Sequence, residues 1–531
     1  MLIIYHAKIY TFEARCPTAT ALAIEGDRVV DTGDDFYILN HYSHHADLFD
    51  AGGLTIIPGL TDAHIHLEQY AFNLQKVDCD TPTRQDCLAR IEKRAAMTPP
   101  GEWILGHGWN QNNWSDSFGN SAELDRVAPN HLVYLTAKSL HAAWANSSAL
   151  NAAGITLTSP DPAGGKIGRT PTGQPSGILL ESAMQLVSRA IPQPTPEQRI
   201  AVIRSAISRL SGLGLTFIHD FDQRECFIAL QGLHDRGELN IRVLKSIPLV
   251  DLPHATALGL RTGFGDNLLR IGGVKVFTDG ALGPRTAAML QPYESEPDNR
   301  GILLLNAEEL LEIGYQAVEG GFSLAVHAIG DRANRIVLDA FARLNSHQRL
   351  AGKVQPGSVL RHRIEHVQLI HPDDVPRLAE LGVIASMQPL HATSDMDMAN
   401  QSWGTRSANA YAWKSLLEHA AILAFGSDAP VETPDPFAGL YAAVTRRRAD
   451  GAPGPEGWYP LQRLSRQQAL QAYTLGPAFA AGLENQQGRL SAGYLADLLL
   501  LEQDPFVCDS SHLQQIRPTA TMLGGNWVYE A

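Results

Sequence analysis

Short apolar runs that end in polar or ionisable residues recur along this chain, and longer amphipathic stretches follow them. The runs are TIIPGLTDAHIH (55–66), GLGLTFIHD (212–220), IRVLKSIPL (241–249), LLRIGGVKVFTDG (268–280), FSLAVHAIG (322–330), LRHRIEHVQLI (360–370), GVIASMQP (382–389) and AILAFGSDAP (421–430). Helical patterns such as NAEELLEIGYQAVEGG (306–321) and SRQQALQAYTLGPAFAAG (465–482) lie among them. Eight strands alternating with helices predict an α/β chain closed into a (β/α)₈ TIM barrel, with its active site at the C-terminal ends of the strands.

The two chain ends read differently. LIIYHAKIYTF, TALAIEGDRVVDTG and LTIIP are strand-like, and Gly26-Asp27 between apolar runs is a hairpin signal. GRLSAGYLADLLLLEQDP and ATMLGGNWVYEA repeat that pattern at the other end. Residues 1–57 and 483–531 therefore predict one small β-sandwich domain, with the barrel domain, 58–482, inserted between them. That barrel domain has 425 residues, well over the ~250 a barrel needs. Most of the surplus falls at 68–200, after the first barrel strand. We read it as an insertion over the barrel mouth, because long ordered insertions tend to be functional.

Composition excludes other classes. Lys and Arg total 42 against 56 Asp and Glu, a formal charge of −14 with no basic block, which argues against a nucleic-acid partner. No run of 18 apolar residues predicts a membrane span. The start, MLIIYHAKIYTFEARC, has no basic n-region and predicts no secretory signal. The five cysteines (Cys16, Cys79, Cys87, Cys226 and Cys508) are scattered without a CxxC pair, so the expectation is a reducing cytoplasm and no thiolate metal site.

The ends of the runs carry the chemistry. His64 and His66 are two apart on a strand and share a face, so both imidazoles can reach one metal ion. Two histidines at one strand end also occur without a metal; the other strand ends decide. Lys275 sits inside an apolar strand, where burial favours the neutral amine. Such an amine can take up carbon dioxide and become a carbamate able to bridge two metals. His327, His366 and Asp428 each end a different predicted strand. Packing alone does not explain four such residues after an HxH pair.

Together PGLTDAHIHLE, VKVFTDGALG, VHAIGDRA, RIEHVQLI and GSDAPVETPDPF resemble the amidohydrolase superfamily. The resemblance is strongest to its metal-dependent TIM-barrel branch, which includes N-substituted formamide deformylases. It implies that His64, His66 and Asp428 bind a first divalent ion and His327 and His366 a second. Lys275, carboxylated, would bridge them. Two such ions, with zinc the expected metal, would activate a water for attack on a carbonyl carbon, with Asp428 as general base and then general acid. A homodimer is also what the superfamily implies.

Candidate substrate contacts are Trp109 and Asn110 in GHGWNQNNW, and His141, Gln388 and His391 near strand ends or in the insertion. Asp279, Arg285, Asp331 and Arg332 follow metal-ligand strands; Asp279 could orient Lys275, and Asp331 could cap the helix that begins at Arg332. Arg363 and Glu365 alternate with His366 and are expected to face away from it and pair structurally. The resulting expectation is hydrolysis of an amide-type C–N bond of a small molecule. Ester, lactone or imine hydrolysis and deamination at the same site, or a non-catalytic binding protein, remain as alternatives.

Overall fold

The computed structural model describes residues 1–110, 114, 118–138, 141–350 and 360–531. Eight parallel strands form one sheet in chain order: β1 (Leu60–Ile65), β2 (Leu215–Asp220), β3 (Arg242–Pro248), β4 (Leu269–Phe277), β5 (Leu324–Ala328), β6 (Arg363–His366), β7 (Ile384–Met387) and β8 (Leu423–Phe425). The sheet nearly closes on itself. A parallel bridge joins Ile65 to Ala429, and the Asp428 N–H donates to the His64 carbonyl at 2.7 Å. Register fixes which strand ends sit side by side: Phe277 lies opposite His327, and Ala328 opposite His366.

The connecting helices follow from local sequence. In Ala307–Glu319 the Asn306 side chain accepts from the Glu309 N–H while the Glu309 carboxylate accepts from the Asn306 N–H. This capping box fixes the helix start. Leu310, Leu311, Gly314 and Ala317 are its buried positions, spaced to fall on one helical face. The helix stops at Gly320-Gly321, where Gly321 has a φ of 78°.

The chain ends form two further sheets. One runs Arg28–Gly33, Ala21–Glu25, Leu2–Tyr5, Asp47–Asp50; the other runs Asn526–Glu530, Pro518–Leu523, Leu498–Leu501, Thr55–Pro58, Lys8–Glu13, Cys16–Ala19. Ile4, Leu22 and Ile24 of the first sheet share an apolar core with Ile9, Ile56, Leu498, Leu500 and Met522 of the second. Gly26, with a φ of 59°, turns the hairpin between Ala21–Glu25 and Arg28–Gly33.

The run 55–66 is not one strand. Thr55–Pro58 pairs with Lys8–Glu13 and Leu498–Leu501, whereas Leu60–Ile65 belongs to the barrel. The break falls at Gly59, where any Cβ would run into the Thr216 side chain. Periodicity alone cannot show this crossing, because both halves are apolar.

Two compact units emerge: Met1–Tyr70 with Ile203–Ala531, and Ala71–Val202. The second unit has its own six-stranded sheet, ordered Gly165–Arg169, Pro175–Glu181, Ala142–Ala145, Leu132–Ala137, Trp103–Trp109, Val77–Asp78. Its core holds Trp109, Trp114 and Trp144 together with Val133 and Leu135. Among the described residues no helix is long and apolar enough to cross a membrane.

The close approach at Gly59 makes a stability prediction. Gly59→Ala should destabilise the protein by about 1–3 kcal/mol through overpacking, read as a lower denaturation midpoint. An unchanged midpoint would show that Thr216 yields without cost.

Candidate metal centre

The site is assembled from the C-terminal ends of the barrel strands. His64, in β1, is fully buried, and its Nδ1 lies 2.6 Å from Glu365 Oε2 of β6. That contact leaves Nε2 directed to Asp428 Oδ1, 3.6 Å away, and to Lys275 Nζ, 3.5 Å away. His66 Nε2 is 3.4 Å from the same Asp428 oxygen. Its Nδ1 is 3.3 Å from Asp222 Oδ1 but lacks hydrogen-bond geometry, so it is buried without a partner among the described residues.

His327 and His366 close the cluster. His327 Nε2 contacts the Gly280 carbonyl at 3.0 Å, and His366 Nδ1 lies 2.9 Å from Gln388 Oε1. The His366 ring sits 4.6 Å from that of His327 and 5.0 Å from that of His64, centroid to centroid. One donor atom from each of His64, His366 and Asp428 lies within 4.8 Å of the others. A cavity of about 470 Å³ is lined by all six of His64, His66, Lys275, His327, His366 and Asp428.

Electrostatics suits His64, His327 and His366 to a divalent cation, whereas at His66 burial opposes the charged form but Asp222 and Asp428 outweigh it and raise the imidazole to about 9. Burial and the neighbouring Lys275 ammonium push the imidazoles of His64 and His327 down to about 4. Burial, with His327 beside it, holds His366 well below its ordinary value. Neutral imidazole is the form that ligates metal. Burial lowers Lys275 to about 8; its Nζ lies 4.5 Å above the Phe221 ring, and it forms no ion pair among the described residues. Burial works against the Asp428 carboxylate, but the hydrogen bonds of His391 and His66 outweigh it and keep the group ionised. Four imidazoles, a carboxylate and an amine able to become a carbamate fit a nitrogen- and oxygen-ligated ion such as zinc. The ring nitrogens turned away from the centre are held by Glu365, Gln388 and Gly280, as ligating histidines require.

The other candidates are placed differently. His391 lines the cavity, with Nε2 3.3 Å from Asp428 Oδ2 and Nδ1 3.8 Å from Glu432 Oε1. Burial opposes its charged form, but those carboxylates raise it to about 10. Gln388 backs His366. Asp279 does not orient Lys275: its carboxylate accepts the N–H groups of Ala288, Ile329 and Gly330 at 2.8–3.0 Å and so ties two loops together. Burial pushes that carboxyl up to about 7. Asp331 is the first residue of the helix Asp331–Leu350, and its side chain accepts from the Leu290 N–H at 2.8 Å. Arg285 pairs with Glu296.

Three candidates belong to the second unit. Trp109 is fully buried, with its indole N–H donating to the Leu135 carbonyl at 2.9 Å, so it is a core residue and not a pocket wall. His141 is exposed, with Nδ1 3.0 Å from Glu181 Oε2. Asn110 follows the strand Trp103–Trp109, and Gln111, Asn112 and Asn113 of the same motif lie outside the described residues.

Sequence reasoning missed several residues. Arg363 and Glu365 do pair, at 2.5 Å, but Glu365 does not merely face away from the site: it reaches into the barrel and holds His64. Strand alternation places Arg363 and Glu365 inward, and His366 reaches the same interior because its backbone turns to a φ of 77°. Asp222, two residues beyond β2, lies against His66, and Gln368, Asp395 and Glu432 line the cavity. The second run, 212–220, ends at Asp220 and so stops short of Asp222.

Comparison with known proteins agrees with this geometry. The model of the amidohydrolase family matches residues 47–529. YtcJ of Bacillus subtilis (strain 168) is 30% identical over all of this chain and all of its own length. The N-substituted formamide deformylase of Arthrobacter pascens is 29% identical, covering 100% of this chain and 98% of its own. The crystal structure of an uncharacterized metal-dependent hydrolase from Pyrococcus furiosus superposes with a TM-score of 0.78 at 28% identity, over 95% of this chain and 99% of that one. With its eight-stranded barrel and the polar strand ends gathered on one cavity, the chain belongs to the amidohydrolase family.

Proposed function

We propose that the protein hydrolyses an amide-type C–N bond of a small molecule at a binuclear centre, with zinc as the metal. The observation that carries this reading is the convergence of His64, His66, Lys275, His327, His366 and Asp428 on one cavity. His64, His66 and Asp428 would hold one ion and His327 and His366 the other, with carboxylated Lys275 shared between them. Bound there, the ions supply Lewis acidity, lowering the pKa of water and polarising a carbonyl. The similarity to an N-substituted formamide deformylase supports an amide as substrate.

The chain's own groups manage protons and position. Asp428 Oδ1 faces His64 and His66, while Oδ2 faces His391. Oδ2 is the atom placed to accept a proton from the attacking water and return it to the departing nitrogen. Water oxygen bonds to the carbonyl carbon, the C–N bond breaks, and the amine leaves with that proton. His391, held between Asp428 and Glu432, fixes the carboxylate for both transfers. Lys275, lowered to about 8 by burial, has an appreciable neutral fraction at neutral pH, the form that reacts with carbon dioxide.

The test begins with elemental analysis of protein purified without chelators, followed by a screen of N-acyl and formamide compounds. About two metal equivalents per chain and turnover of amides are expected. One equivalent would exclude the bridged pair, and no metal after reconstitution with carbon dioxide would exclude the hydrolytic reading. Lys275→Ala should lose metal and activity, with activity partly restored by short carboxylic acids; full metal content in that variant would show that the lysine does not bridge. Asp428→Asn should keep the fold and lower kcat by at least about 10²-fold, the low end for losing an acid–base group. Near-normal turnover would remove Asp428 from proton transfer.

A further inference from the structure

The hydrolytic reading above leaves open what the departing nitrogen carries. The charges on the cavity wall bear on this. Among the described lining residues outside the six of the metal centre, the ionisable side chains are His391, Asp395 and Glu432; none is Arg or Lys. The imidazole is already engaged, with His391 Nε2 3.3 Å from Asp428 Oδ2. Asp395 Oδ2 accepts from the Tyr411 hydroxyl at 2.6 Å. Glu432 is the open group. Its Oε1 lies 3.8 Å from His391 Nδ1, beyond hydrogen-bond length, and no other polar partner meets it among the described residues. The side chain keeps 21% of its surface exposed, and neither carboxylate oxygen is a buried atom without a partner. A carboxylate on the wall of a reaction cavity, with one distant contact and access to solvent, can take up a further cation.

Position indicates which end of the substrate that cation occupies. Asp428 Oδ2 is the atom placed to return a proton to the departing nitrogen, and His391 lies between that oxygen and Glu432. Glu432 therefore stands on the side of the leaving amine. Leu282, Met398 and Val431 line the same cavity and suit a short methylene chain. At the end of such a chain a carboxylate would meet like charge. A methyl group would meet a hydrated carboxylate and gain nothing from it. An ammonium group gains a charge-assisted hydrogen bond. We propose that Glu432 is a specificity-determining residue that binds an ammonium group on the departing amine, so that the substrate is a mono-N-acylated diamine. The proposal rests on the hydrolytic reading, and hydrolysis of such a substrate releases a carboxylic acid and the free diamine.

The test uses the mono-formamides of 1,4-diaminobutane, pentylamine and 5-aminopentanoic acid, which end in an ammonium, a methyl and a carboxylate group at the same chain position. The metal-replete full-length enzyme should favour the ammonium compound over the pentyl compound by at least about tenfold in kcat/KM, mostly through KM, the size of one charge-assisted hydrogen bond. The carboxylate compound should be the poorest of the three. Glu432 also faces His391, so Glu432→Gln is expected to lower kcat on all three alike. The readout is the ratio of the ammonium to the pentyl compound, which should fall to within about threefold of unity in that variant. Glu432→Lys should turn the preference toward the carboxylate compound. A preference below about threefold in the unmodified enzyme, or a ratio that Glu432→Gln leaves unchanged, would overturn the proposal. Loss of metal from both variants by elemental analysis would also overturn it, by assigning Glu432 to the upkeep of the centre. Binding separates this proposal from the reaction it rests on. The methanesulfonamides of 1,4-diaminobutane and pentylamine have no carbonyl carbon to attack. Calorimetry with the unmodified enzyme should show the first binding at least about tenfold more tightly than the second, and Glu432→Gln should abolish that preference. If none of the formamides is cleaved yet this preference appears, the hydrolytic reading falls and the recognition of ammonium stands. Absence of the preference would overturn the recognition itself.

Discussion

The centre depends on a buried guanidinium. Arg363 donates to Glu365 at 2.5 and 3.0 Å, to the Ala63 carbonyl at 2.6 Å and to Ser386 Oγ at 2.5 Å, and its remaining arm reaches His219 Nδ1 at 2.8 Å. One side chain from β6 therefore joins β1, β2 and β7 through the barrel interior. A buried ion pair of this kind adds little stability by itself, because desolvation offsets the Coulomb attraction. Its effect is positional. Glu365, ionised by Arg363, fixes the ring of His64 through Nδ1 and turns Nε2 toward the cavity. Removing either charge would leave the other buried and unpaired, which costs several kcal/mol, and would free the imidazole at the same time.

Backbone strain is concentrated at the same level of the barrel. His366, Val367 and Asp428 all have positive φ, at 77°, 45° and 59°. Each such residue costs on the order of 1–3 kcal/mol and persists only where its surroundings over-determine it. For Asp428 those surroundings include the N–H bond to the His64 carbonyl that helps close the sheet. The contact that shuts the barrel is thus also the one that presents the carboxylate. The stability of the fold and the geometry of the centre are coupled through one residue.

Residues at strand ends were legible in the sequence because a polar side chain ending an apolar run has few structural reasons to be there. His64, His66, His327, His366 and Asp428 belong to this class, Lys275 stood out as a charge inside an apolar strand, and the structure gathers all six around one cavity. What the sequence did not show depends on distance across the fold. Glu365 looked like half of a local pair because its contact with His64 spans 301 positions. Trp109 looked like a pocket wall because aromatic and amide residues cluster in its motif, but its ring is buried in the core of its own unit. The change of sheet at Gly59 was hidden because both flanking strands are apolar, and only the nearness of Thr216 reveals why a glycine stands there.

Unpaired polar atoms show where this architecture departs from stability. His66 Nδ1, Gln368 Oε1 and Gln388 Nε2 are all buried without partners among the described residues, and each belongs to a metal-centre histidine, to a residue backing one or to the cavity wall. An interior built for stability alone would pair these atoms or replace them with apolar groups of the same shape, which is often neutral or stabilising. Apolar packing is available nearby: Phe221 and Phe277 already cover Lys275. These three sit beside the imidazoles of the centre, although buried atoms without partners also occur away from it, at Trp413 and Gln487. The constraint set by Arg363 and Glu365 thus extends outward: a His64 ring fixed through Nδ1 turns Nε2 toward Asp428 and Lys275, and the rest of the centre is arranged around that direction.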